Sequence, residues 1–159
     1  MEQKALSGWL RAILIGVGIC GLIVYFVILP VCGQTLAEQY PEFSDRYWPW
    51  LGFLWATGLP CCAALILGWR IAANIGADRS FSNENAGYLK WISWLAAGDA
   101  AFFFAGNLVL MAVGMSHPGI MLAALLVVFA GIAISAAAAA LSHLVKKAAL
   151  LQEQSDLTI

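Results

Sequence analysis

The chain has 159 residues, 62% of them hydrophobic and 11% charged, with a formal net charge of −1. A soluble domain carries about 25% charge, so this composition excludes one and leaves a polypeptide whose solvent is lipid. A net charge this small also gives no electrostatic footprint for direct binding of nucleic acid.

A membrane-crossing helix needs about 20 apolar residues, and four runs reach that length, at about 12–33, 50–73, 91–115 and 119–145. They predict a single all-α integral membrane domain over 1–159, an up-and-down antiparallel four-helix transmembrane bundle. The first run follows Lys4 and Arg11, as the core of a signal peptide would. Its apolar part is longer than the roughly 7–15 residues of such a core, and no small-x-small cleavage site follows. Leu29-Pro30-Val31 before Cys32 also lack the small residue that precedes a lipidated cysteine, so the run reads as a span. Gly16, Gly18 and Gly21, with Ala12 and Cys20, make small-xxx-small spacings in it and predict a packing face, within the bundle before a homodimer seam. Pro30 falls near its outer end, where a lost backbone bond costs least.

The connector 33–49 is acidic and aromatic, with room for a short interfacial helix around 35–40. In the second span Pro60 removes one helical hydrogen bond and frees the carbonyl of Ala56, which predicts a kink. Counted from the outer ends at about 1.5 Å per residue, Asn107 of the third span lies at a similar depth, so its amide is expected to donate to that carbonyl. Asp99 lies roughly 12 Å in from Trp91 on the same rise, where a charge costs about 2.5–3.5 kcal/mol on insertion scales. It is expected to be protonated, paired or wetted. A tight turn over 115–119 makes the last two spans an antiparallel hairpin. The alanines at 136–140 predict close packing, and His143 near the inner face reads as an interfacial hydrogen-bonding residue.

Lys4, Arg11, Arg70, Arg79, Lys90, Lys146 and Lys147 fall at the two ends and the middle loop, and Arg46 alone on the other side. Positive residues stay in the cytoplasm, so both termini and the loop 74–90 are expected there. Cys20, Cys61, Cys62 and Asp99 lie at one depth, a set a soft metal would accept. Adjacent Cys61 and Cys62 diverge by about 100° on a helix, no C-x-x-C spacing occurs, and no metal or other cofactor is expected. H-E-x-x-H, G-x-S-x-G and glycine-rich phosphate loops are absent from the sequence, which gives no support for an enzyme.

The loop 74–90 is the one sizeable polar stretch between two apolar runs. Ser82 is a good N-cap, with Glu84 and Asn85 in the first turn after it, so a helix is expected to begin near Asn83. Phe81 before the cap fixes the entry angle by folding back or dipping into the membrane interface. Asp78, Arg79, Phe81, Ser82, Asn83, Glu84 and Asn85 form the candidate partner-binding surface. Asp99, Asn107 and His143 are the polar candidates in the spans.

The run Ile75-Gly-Ala-Asp-Arg-Ser-Phe-Ser-Asn-Glu-Asn-Ala-Gly-Tyr-Leu, between spans two and three, resembles the YoaS-like family of four-span bacterial membrane proteins. Phe81, Ser82, Asn85 and Leu89 match that family's Pro-Phe-Ser-x-x-Asn-x-x-x-Leu loop, and Ser80 replaces its proline. The resemblance implies a membrane partner of a small helix-turn-helix repressor, members being often encoded beside one. The function expected is therefore a membrane regulator or sensor that binds a cytoplasmic protein through the middle loop and the tail 152–159. The alternative is a small transporter or channel subunit centred on Asp99 and Asn107.

Overall fold

A computed structural model describes residues 3–116 and 118–156; His117 of the last turn and residues 157–159 of the tail lie outside it. Helix α1 (Gln3–Ile23) passes through a π-helical turn (Val24–Ile28) into α2 (Leu29–Gln39), and the three form one 37-residue rod. A 3-10 turn (Pro41–Arg46) leads to α3 (Tyr47–Gly76), followed by α4 (Asn83–Ala112) and α5 (Pro118–Asp156). Four helices are thus long and apolar enough to cross a membrane, as the sequence requires. The separate interfacial helix expected around 35–40 does not form, because the first span continues through it.

Lipid as solvent shows in what is buried. The apolar core is Leu51 with six alanines, among them Ala72, Ala86 and Ala100, whereas Leu59, Leu126 and Phe129 are more than 70% exposed. Water would punish such a surface; in a bilayer the spans gain by close backbone approach through small residues. At Gly106 an added Cβ would overlap the Phe53 ring, and at Gly131 it would lie 3.0 Å from the Ala100 methyl. The packing expected at Gly16 and Gly21 is not there, since a Cβ at either would meet nothing within 4 Å. Of the alanines at 136–140 only Ala138 is buried. Small residues give a helix permission to approach; the partner's position decides which of them are used.

Packing follows chain order: α1 on α3, α3 on α4, and α4 most extensively on α5. Among the described residues no Cα of α1 comes within 8 Å of α4 or α5, nor any of α3 within 8 Å of α5. The α4–α5 hairpin carries its own polar rungs, Ser135 Oγ to the Ser93 carbonyl at 2.9 Å and Ser142 Oγ to the Ala86 carbonyl at 2.7 Å.

Pro30 explains the π turn. The Leu29 N–H reaches back to the Val24 carbonyl, and in that register the Tyr25 carbonyl would need an N–H from residue 30, which proline lacks. The Trp55 indole of α3 supplies it, Nε1 to O at 2.9 Å. Near Pro60, in contrast, α3 runs on as one helix. The Asn107 amide does not cross to Ala56; it donates to the Phe103 carbonyl one turn back on its own helix at 2.8 Å.

Both hairpin turns at helix ends use one device. After α4, Gly114 at φ 71° reverses the chain, with Gly114 N to Met111 O at 3.1 Å and Met115 N to Leu110 O at 2.8 Å. This Schellman closure ends the helix at Ala112, before the 115 expected. After α3 the same pair of bonds recurs, Asp78 N to Ile75 O at 3.1 Å and Arg79 N to Asn74 O at 2.9 Å. There the left-handed position is filled by Asp78 at φ 61°.

Candidate functional site

The α3–α4 turn is built around two asparagines. Ser82 is extended, and its Oγ accepts the Asn85 N–H at 3.2 Å, so α4 starts at Asn83 as expected. That start puts Asn85 on the face of α4 turned toward α3, where it is only 1% exposed. Its Nδ2 donates to the carbonyls of Arg79 (3.2 Å) and Ser80 (3.1 Å), and its Oδ1 accepts from Asn74 Nδ2 at 2.9 Å. Asn74, also buried, donates to Glu84 Oε2 at 3.2 Å and accepts from Arg79 Nη2 at 3.2 Å. Amide groups suit this role because each offers donors and an acceptor to backbone that has neither helix nor water to satisfy it.

Asn85 is therefore a brace inside the turn and presents nothing to a partner, which removes it from the candidate surface. Asp78, Arg79, Asn83, Glu84 and Phe81, the last 58% exposed, remain on the outside. Glu84 is anchored at its own end: the Tyr88 hydroxyl donates to it at 2.6 Å. That bond, helped by the Asn74 amide and the charges of Arg79 and Arg70, holds the Glu84 carboxyl below the ordinary carboxylate range. Two other segments close on the same end. Ser80 Oγ bonds Gln3 Oε1 at 3.0 Å, and Asn83 Nδ2 bonds Glu153 Oε1 at 3.3 Å. The start of α1, the turn and the end of α5 thus share one surface.

In the spans Asp99 has a partner that its depth alone did not identify. Cys61 Sγ lies 3.8 Å from Asp99 Oδ2, while Oδ1 is buried without a hydrogen bond. One turn from Cys61 on α3, Thr57 shares a 2.8 Å bond with the Tyr25 hydroxyl of the π-helical turn. Cys20 and Cys62 do not join: among the described residues no three His, Cys, Asp or Glu side chains converge on a point. Cys61 and Cys62 point apart as adjacent helical residues must. His143 is exposed on α5, and Asn107 is buried and bonded within α4.

Asn74 is the site residue that sequence reasoning left out. It stood at the border of an apolar run and read as the start of the loop. The available signal was an Asn-x10-Asn pair flanking a turn with too few donors of its own.

Four apolar spans, a brace of buried amides at one end and a half-buried carboxylate between spans define a small polytopic helical membrane protein. The chain belongs to the family described as protein of unknown function (DUF2975), whose model matches residues 31–159. It is also similar to the uncharacterized membrane protein YoaS of Bacillus subtilis (strain 168), with 30% identity over 149 residues and 92% of each chain covered. No solved structure matches it.

Proposed function

We propose that the protein is a membrane regulator that docks a soluble cytoplasmic partner on the α3–α4 turn. One observation carries this reading: the turn is braced from beneath by Asn85, 1% exposed, and open on top, with Phe81 58% exposed beside Asp78 and Arg79 and with exposed Asn83 bonded to Glu153 at its edge. A turn already held in shape loses little conformational entropy on binding, and an aromatic ring among charges is an effective anchor. Seven of the eight Lys and Arg residues belong to this end of the molecule, which supports a cytoplasmic position in a bacterial inner membrane. A helix-turn-helix repressor is the partner class that the family resemblance implies. The proposal assigns the protein a binding role and no catalysis.

The test is capture from the soluble fraction by the full-length protein in nanodiscs. A protein of that class retained by the wild type and by Lys146→Gln/Lys147→Gln, but lost with Arg79→Ala/Phe81→Ala/Asn83→Ala, supports docking. Undiminished retention by the triple variant contradicts it. A second reading, transport, is favoured by the Cys61–Asp99 contact and the unpartnered Oδ1 beside it, because an intramembrane ionisable group commonly marks an ion path. It requires a flux in proteoliposomes that Asp99→Asn abolishes.

A further inference from the structure

Between α1 and α3, at the end that carries the termini, lies an open groove of about 430 Å³. Lys4, Ser7, Gly8 and Arg11 form its α1 wall, with Ala73 and Gly76 of α3 and the Ala77 that follows it opposite. The four α1 residues stand at i, i+3, i+4 and i+7 and so share one face. The two cations are about 10 Å apart along the axis, with no bulky side chain between them.

Most of the other polar groups there are already engaged. Ser7 Oγ donates to the Ala72 carbonyl at 2.7 Å, and the carbonyls of Ala73, Asn74 and Ile75 accept from the turn that follows. Arg11 is only half engaged: its guanidinium lies over the Trp69 ring at 5.4 Å, while its buried Nε has no hydrogen-bond partner. An orphaned guanidinium N–H is costly, and the acceptors its planar fork fits best are carboxylate and phosphate. Among the described residues no carboxylate lines the groove.

The level of the groove indicates where the acceptor comes from. Exposed Trp9 and Trp69 stand beside Arg11 at the start of the apolar stretch, the position of an aromatic belt among lipid headgroups. Further along α1, Ile15, Ile19 and Leu22 are bare. We propose that the groove binds the phosphodiester of an anionic membrane lipid between Lys4 and Arg11, with the Arg11 guanidinium donating to a phosphate oxygen and an acyl chain lying along α1.

The experiment uses the full-length protein in detergent with phosphatidylglycerol, phosphatidylcholine or inorganic phosphate as the probe, read by native mass spectrometry. The phosphatidylglycerol adduct is expected to persist and the phosphatidylcholine adduct to be lost. Lys4→Gln/Arg11→Gln should weaken the first at least about tenfold, and Lys146→Gln/Lys147→Gln should leave it unchanged. Gly8→Leu fills the groove while keeping both charges, its Cβ meets nothing within 4 Å, and it should weaken the adduct as much in protein that keeps its helical circular dichroism. If the double-glutamine variant of the groove fails to fold, Gly8→Leu decides alone. Equal retention of the two lipids, equal loss in the Lys146/Lys147 variant, or an adduct undiminished by Gly8→Leu overturns the proposal. Displacement of the lipid by inorganic phosphate overturns the lipid assignment in favour of a free-anion site.

Discussion

Asn74 and Asn85 face each other across the α3–α4 turn, Nδ2 to Oδ1 at 2.9 Å, and between them they satisfy backbone and side chains that the two helix ends leave over. Removing one amide strands the rest. Asn85→Ala leaves the carbonyls of Arg79 and Ser80 and the Asn74 amide without their partner, at about 1–3 kcal/mol for an orphaned buried group. Unfolding in mixed detergent should show a loss in that range or above it, whereas Asn83→Ala, at an exposed site, should change stability by less than about 0.5 kcal/mol.

Asp78 occupies the left-handed position of a Schellman closure that Gly114 fills at the other turn. An L-residue there costs roughly 1 kcal/mol that glycine avoids. Asp78→Gly should therefore raise the melting temperature, and Asp78→Val should lower it. A fall on the glycine substitution would mean that the Asp78 side chain contributes more than its backbone conformation costs.

Trp55 donates its indole N–H to the carbonyl of Tyr25, which Pro30 leaves without a backbone partner. Trp55→Phe keeps the ring and deletes the donor, so its cost measures the hydrogen bond. A loss of about 1–3 kcal/mol is expected, since lipid offers the carbonyl no alternative. Pro30→Ala in the same background should recover part of it by restoring an N–H.

Glu84 supplies a pH dependence whose sign follows from its depressed titration. Its contribution is fully present above the ordinary value of 4.5 and is lost as pH falls through the lowered folded value. The melting temperature should hold steady from neutrality to about pH 5 and decline below it. Glu84→Gln should flatten part of that decline, and Tyr88→Phe, which removes the largest cause of the shift, should shrink it in the same way.

The number of spans, the start of α4 and the hairpin of the last two helices were legible because each rests on a local rule: length of an apolar run, a serine cap, a short turn. What escaped were relations between helices. Gly16 and Gly21 have the spacing of a packing face, yet which small residues are used depends on where α3 crosses, and it crosses at Gly68 and Gly76, with Leu14 and Ser7 against them. Asn107 and Ala56 share a depth, but depth says nothing about azimuth, and the amide found its own helix instead. The Cys61–Asp99 pair was visible as a common level and became a contact only once α3 and α4 were set side by side.

Docking of a cytoplasmic partner requires the braced turn to stand on the inner side of the membrane. The direct test is Arg79→Cys in a chain whose Cys20, Cys32, Cys61 and Cys62 are changed to Ser, probed with a membrane-impermeant maleimide. Labelling in inverted vesicles and none in intact cells is the predicted result. Labelling of intact cells would put the turn outside and contradict a cytoplasmic docking surface.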